Sequence, residues 1–179
     1  MDHIAKTNHD QNTLNGIIDS RGLPKRAGQP ADYAGFVVIK PWGYEFEVFD
    51  NRRCSIWMAC LRPGQSVSMH CHQTKSAMFL PLSEGVTFKT LLQERALASA
   101  ICVEPGVFHS QENHSDKDAY FLEYEWPSDK ADLVRLYDRY GRETKGYEGV
   151  DSMVPISMAE AAGAVNVPED LKLLMWRAA

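Results

Sequence analysis

Two histidines one residue apart are the first sign of chemistry in this chain. They are His70 and His72, in the stretch RPGQSVSMHCHQTKSAMF over residues 62–79. Along a β-strand successive side chains point to opposite faces. Ser66, Ser68, His70 and His72 would then share one face, and Val67, Met69 and Cys71 the other. Two imidazoles on one strand face can grip one metal ion if a third ligand comes from elsewhere. The best candidate is His109 in CVEPGVFHSQENHS, which follows a Pro-Gly turn and opens another expected strand. His109, Gln111 and Asn113 again have one parity. A lone histidine on a strand is ordinarily structural, but two on one face with a third after a turn point to a ligand set. Three imidazoles suit one divalent transition metal (Zn, Fe, Mn or Ni) and leave positions open for water or substrate.

The elements that must hold these residues read mainly as strands. From about residue 36 to 126 the segments GFVVIK, YEFEVFD, CSIWMACLR, SVSMHCH, SAMFLPL, VTFKTLL, ALASAICV and DAYFLEYEW are short, apolar and partly β-branched or aromatic. Turn signals such as KPWG, DNR, RPG, SEG and EPG separate them. Many short strands at regular spacing predict an all-β sandwich or barrel. LLQERALASA is ambiguous and fits a helix equally well. Residues 1–35 read as a polar N-terminal arm in which NTLNGIIDSRG forms one short helix stopped at Gly22. Beyond the strands, SDKADLVRLYDRYGR reads as a helix with Ser128 as its N-cap. SMAEAAGAV and PEDLKLLMWRAA read as helices too, the latter with Pro168 in its first turn. The expected organisation is an arm over 1–35, a barrel over 36–145 and a helical tail over 146–179.

Composition narrows the function classes. With 179 residues, 44% hydrophobic and 24% charged, the chain can bury a proper core. A net charge of −5 with no basic block argues against a nucleic-acid surface. No apolar run approaches the roughly 20 residues that span a bilayer, so no membrane partner is expected. Cys54, Cys60, Cys71 and Cys102 form no CxxC motif. They are expected to be reduced packing residues in a cytoplasmic protein. The opening MDHIAKTNHDQNTLNG lacks the charged-then-apolar layout of a secretory signal.

The motifs resemble those of the cupin superfamily. Gly64, His70 and His72 fit its first metal motif with the right spacing, and Gly106, His109 and Asn113 fit the latter half of its second. Pro105 lies one place later than the family's proline. The resemblance implies a double-stranded β-helix, a small jelly-roll barrel, with a metal held on inward-facing strand positions. A closer resemblance, over about 38–142, is to the cupin domain of type II mannose-6-phosphate isomerases. It rests on KPWGYE at 40–45, RPGQSVSMHCH, CVEPGVFHSQEN and ADLVRLYDRYGR at 131–142. It implies a small-molecule substrate, a sugar or sugar phosphate, and pairing through the sheets into a homodimer.

One departure from the family pattern bears directly on the site. The family's motif places a glutamate ligand three or four residues after His-x-His, where this chain has Ser76 and Ala77; by the isomerases' shorter spacing the position is Lys75. The site then has three histidines, or it borrows a carboxylate, with Glu45, Glu123 and Glu125 as lenders. Lys75 either turns outward or faces the pocket. The expected activity is metal-dependent isomerisation or epimerisation of a sugar or sugar phosphate, with Lys75 and Glu125 as candidate catalytic residues. Lys40, Tyr44, Gln111, Arg135 and Arg142 are candidates for substrate binding, the arginines because a guanidinium fork suits phosphate. A three-His iron dioxygenase and a non-catalytic sugar-binding protein are the alternatives.

Overall fold

The computed structural model describes residues 1–26, 28, 32–147 and 149–176. Residues 27, 29–31, 148 and 177–179, parts of the expected arm and tail, lie outside the described residues. In chain order the strands are β1 (Asp2–Ile4), β2 (Phe36–Lys40), β3 (Gly43–Asp50), β4 (Ser55–Leu61), β5 (Met69–Cys71), β6 (Ser76–Pro81) and β7 (Val86–Thr90). They continue with β8 (Glu94–Ala96), β9 (Ile101–Val103), β10 (His109–Asn113), β11 (Ala119–Trp126), β12 (Val134–Tyr137) and β13 (Met153–Pro155). Helices α1 (Asn8–Arg21), α2 (Ile156–Ala161) and α3 (Lys172–Trp176) flank them. None of the helices among the described residues is long and apolar enough to cross a membrane.

Between β4 and β11 the chain passes back and forth between two sheets. One sheet has the order β1-β9-β6-β11-β4-β3-β2-β13, the other β12-β5-β10-β7-β8. All pairings within that stretch are antiparallel. This is the double-stranded β-helix, as expected. The apolar run of β4 reflects burial on both faces. Ala59 and Leu61 point between the sheets toward Phe79, Phe88 and Phe121, while Met58 and Cys60 point outward beneath the tail, against Tyr44, Phe46 and Val165. The KPWG turn needs its glycine, since a Cβ on Gly43 would lie 2.0 Å from the Cys60 carbonyl oxygen.

Arm and tail each cover one sheet and each add a strand. The helix α1 begins earlier than the sequence suggested because Thr7 and Asp10 form a capping box, and it ends at Gly22 with a positive φ of 71°. Its Leu14 and Ile17 pack with Cys71, Phe108 and Val134 on the outside of the small sheet. Cys71 thus turns away from the histidines, and burial pushes its thiol up to about 12. β1 pairs in parallel with β9, and β13 joins the large sheet beside β2. In the tail, α2 forms where a helix was expected, and Pro168 sits in a turn preceding α3.

Two expectations give way to tertiary pairing. SDKADLVRLYDRYGR is not a helix; it contains β12, which pairs antiparallel with the free edge of β5. Its apolar spacing allows either reading, and Leu133, Val134 and Arg135 are all buried in the strand form. Ser128 caps no helix and instead donates to the Asp50 carboxylate. LLQERALASA holds a turn and β8, not a helix.

Asp10 ties the arm to the loop before His109. Its Oδ1 accepts the Phe108 N–H at 3.0 Å, and its Oδ2 accepts the Thr7 N–H at 2.9 Å and hydroxyl at 2.6 Å. Replacing a capping side chain by alanine costs about 0.5–2 kcal/mol, and orphaning a buried N–H costs roughly 1–3 kcal/mol. Asp10→Ala should therefore lower the unfolding free energy by about 2–4 kcal/mol in a urea titration. A loss below about 0.5 kcal/mol would show that the latch carries little of the fold.

Candidate metal centre and buried ion network

Register brings the three histidines together. His70 on β5 lies directly opposite His109 on β10, and His72 follows two residues later on the same face. The ring centroids are 4.5 Å apart for His70 and His109, 5.0 Å for His70 and His72, and 5.3 Å for His72 and His109. His109 stacks at 6.0 Å on Phe88, nearly parallel, with Phe79 at 5.2 Å.

Each ring is aimed by a backbone carbonyl. His70 Nδ1 lies 2.8 Å from Ser68 O, His109 Nδ1 2.9 Å from Val107 O, and His72 Nδ1 2.5 Å from Asp132 O. A carbonyl oxygen only accepts, so each Nδ1 carries a hydrogen, and in a neutral ring the lone pair then lies on Nε2. The Nε2 atoms of His72 and His109 are buried with no hydrogen-bond partner among the described residues. One ligand atom from each of the three residues lies within 4.8 Å of the other two. Burial, reinforced by the neighbouring imidazoles, lowers His70 well below the usual histidine range; burial and His72 bring His109 down to about 4. Neutral rings with converging lone pairs are what a metal ion requires, and orphaned buried nitrogens cost free energy unless something occupies that point. The residues fit a divalent ion.

Asp132 organises the turn that follows. Its carboxylate accepts the N–H groups of Gln73, Thr74 and Lys75 at 2.7, 2.8 and 3.0 Å and the Thr74 hydroxyl at 2.8 Å, while its carbonyl holds His72. This sends Lys75 inward, 1% exposed, with Nζ 2.7 Å from Glu125 Oε1. Of the two placements open to Lys75, the structure has the inward one.

Around that pair lies an alternating set of buried charges. Lys130 Nζ is 3.3 Å from Glu125, 3.7 Å from Glu45 and 4.0 Å from Glu123, and sits 4.0 Å from the centre of the Trp57 ring. Lys40 Nζ is 3.4 Å from Glu45 and 3.9 Å from the Tyr147 ring centre, and the Tyr147 hydroxyl donates to Glu45. Burial opposes ionisation of Glu45, Glu123 and Glu125, but Lys130 and its fellow cations outweigh it, holding all three carboxyls below their ordinary value and Glu123 at about 2. Burial also opposes the charge on Lys130, and the three carboxylates overcome it. Lys40, Lys75, Lys130, Glu45, Glu123, Glu125, His70 and His72 all line one small cavity, about 60 Å³.

The other candidates divide. Gln111 lines the cavity, with a buried Nε2 lacking a hydrogen-bond partner among the described residues. Tyr44 does not belong to the site. It lies one residue from inward-facing Glu45, so strand alternation turns it to the opposite face, where its hydroxyl donates to Asn166 O at 3.2 Å. Arg135 and Arg142 reach the cavity wall, yet their guanidinium groups are engaged. Arg135 donates to the carbonyls of Arg142, Lys145 and Gly146, and Arg142 makes a two-pronged bond to Asp138 at 2.9 and 2.7 Å. That fork is spent on structure, not open to a phosphate. Asn113 also serves structure, donating to Leu61 O and Lys117 O. Sequence reasoning missed Lys130, Tyr147 and Asp132, which lie in irregular segments where no periodicity marks an inward side chain.

No protein-family model and no curated protein matches the chain. Solved structures do. The TT1209 protein of Thermus thermophilus is 25% identical, with a TM-score of 0.46 over 50% of this chain and 88% of that one. The capsular polysaccharide assembling protein CapF of Staphylococcus aureus is 20% identical, with a TM-score of 0.48 over 57% of this chain and 31% of that one. This chain therefore spans only about a third of CapF. A protein with a double-stranded β-helix domain from Klebsiella pneumoniae subsp. pneumoniae is 12% identical, with a TM-score of 0.44 over 57% and 84% of the two chains.

Replacing His70, His72 or His109 by alanine should sharply lower the metal content of protein purified without added metal, read by elemental analysis. An ion bound only by the folded state stabilises it. A chelator should accordingly lower the Tm of the native chain and leave that of the triple variant unchanged. A triple variant that keeps its metal would place the site elsewhere.

Proposed function

Starting from a cupin barrel in which three histidines converge beside a buried Lys75–Glu125 pair, we propose that this protein is a metal-dependent isomerase or epimerase of a sugar or sugar phosphate. The observation that carries the reading is that His70 and His72 of the metal-competent cluster line the same cavity as the Lys75–Glu125 pair. A divalent ion held by His70, His72 and His109 would supply Lewis acidity to a carbonyl oxygen of the open-chain sugar.

The remaining work falls to the chain's own groups. The Gln111 amide, short of a partner, can donate to a substrate oxygen. Lys40, Glu45 and Lys130 present fixed donors and acceptors that match hydroxyl groups. Proton transfer is assigned to Lys75 and Glu125. Lys75 donates to the Glu125 carboxylate at 2.7 Å, and that carboxylate is the group that can take a proton from a carbon and return it to that carbon or its neighbour. Trp42, Val67, Phe121 and Leu133 on the cavity wall limit the water that would compete.

The test is isotope exchange in ²H₂O. Metal-loaded protein should incorporate deuterium at C2 of an aldose or at C1 of its ketose partner, beginning with mannose 6-phosphate and fructose 6-phosphate and then the free sugars. Lys75→Met and Glu125→Gln should each slow exchange at least tenfold, about 1.4 kcal/mol of barrier, while keeping the metal. Absence of exchange across these substrates with Zn, Mn, Ni and Fe would overturn the assignment, and substrate-dependent O₂ uptake with Fe(II) would favour a dioxygenase.

A further inference from the structure

We infer that Tyr147 sets the length of substrate this site accepts. Its side chain closes the barrel cavity off from a larger hollow beside it, and a substrate too long for the cavity displaces that side chain and extends into the hollow. This deepens the reading above and rests on it for the class of substrate, a polyhydroxy chain.

The two spaces differ in scale. The cavity lined by His70, His72, Lys75 and Glu125 measures about 60 Å³. A water needs about 10–15 Å³ on that measure, so the cavity takes about four to six waters, short of an open-chain hexose. Sites that take small-molecule ligands run to roughly 300–1,000 Å³. The neighbouring hollow, about 530 Å³, lies between the end of α1 and the loop of residues 143–146. Arg21, Lys25, Glu143 and Thr144 give it a polar lining that suits hydroxyl groups. Among the described residues Tyr147 alone lines both spaces.

Within the cavity Tyr147 occupies the place of a substrate hydroxyl. Its O–H donates to Glu45 at 2.5 Å, and Lys40 Nζ lies 3.9 Å from its ring centre. Burial and Glu45 push the phenol well above its ordinary range, so it stays a donor. A buried carboxylate that loses a donor is destabilised unless another replaces it, and a sugar hydroxyl is such a donor. The main chain is anchored independently of the ring. Arg135 Nη1 gathers the carbonyls of Arg142, Lys145 and Gly146 at 3.3, 2.6 and 3.0 Å. Turning the Tyr147 side chain from one staggered rotamer to another is therefore the smallest motion that joins the two spaces.

Gly149 offers a way to bias that motion without touching the cavity. The resting ring lies against it, and a Cβ there would come within 2.3 Å of Tyr147 Cε1 and 2.7 Å of Tyr33 Oη. Gly149 has right-handed helical angles, φ −52° and ψ −48°, which alanine adopts readily. Alanine at this position presses on the ring, not on its own backbone.

The test compares two hydroxy acids with the same chelating head, two-carbon glycolate and six-carbon mannonate. Each is titrated calorimetrically into native and variant chains, with and without Co(II). A favoured resting state lowers apparent affinity by the fraction of molecules that are open. Gly149→Ala and Tyr147→Ala should therefore bind mannonate at least roughly fivefold tighter than the native chain. Tyr147→Phe, which loses only the bond to Glu45, should gain less. Glycolate affinity should stay within about twofold in all three. Equal changes for both acids, tightening for neither, or failure of mannonate to bind any of the chains would overturn the inference. Tyr147→Phe carries the test if another variant fails to fold. The reading above fails separately, by absence of deuterium exchange with sugars, and that result leaves the dependence on length intact.

Discussion

Three backbone carbonyls, those of Ser68, Val107 and Asp132, decide what this barrel can do. Each accepts the Nδ1 hydrogen of a histidine and so fixes both the tautomer and the aim of its ring. Without them the imidazoles could rotate or exchange tautomers, and the convergence of Nε2 atoms would be lost. Two carbonyls lie two residues before the histidine they hold, so they come with the local strand geometry. The third comes from residue 132, far along the chain, and reaches His72 only because β12 pairs with β5. The edge strand and the site are therefore one construction.

The charges inside the barrel follow from the same geometry. Burying an ammonium or a carboxylate alone is prohibitive, and a network is tolerated when its members satisfy one another. Lys130 is the hub here, touching three carboxylates and the face of Trp57. Such a network sets hydrogen-bond directions rigidly in a low-dielectric space. It stabilises less than an apolar core of equal volume would, which argues that its value lies in the polar cavity it lines.

Much of the barrel was legible because its signal is short-range. Alternation in SVSMHCH and HSQEN put the histidines and Gln111 on inward faces, and turn residues marked the strand ends. The same alternation, applied to KPWGYE, would have separated Glu45 from Tyr44, which instead packs under the tail. What the sequence concealed was long-range. ADLVRLY satisfies a helical spacing as well as a strand's, and only the open edge of β5 decides between them. Lys130 and Tyr147 come from loops, where direction is set by the neighbours they find and not by any period. The orientation of Lys75 depended on Asp132, 57 residues away.

The arm and the tail bear on how the chain reaches this state. Asp2 pairs with Ile101, and Asp10 bonds to Phe108, at a sequence separation of 98. Contacts so distant cannot form until most of the barrel has been made, and closing such long loops costs entropy before any contact is gained. The arm, synthesised before the barrel, is thus among the last parts to find its place. Until it does, the outer face of the small sheet, including Cys71, Phe108 and Val134, stands uncovered. The loop that carries His109 also lacks the carboxylate that pins it. Placement of the His109 loop is coupled in this way to docking of the arm.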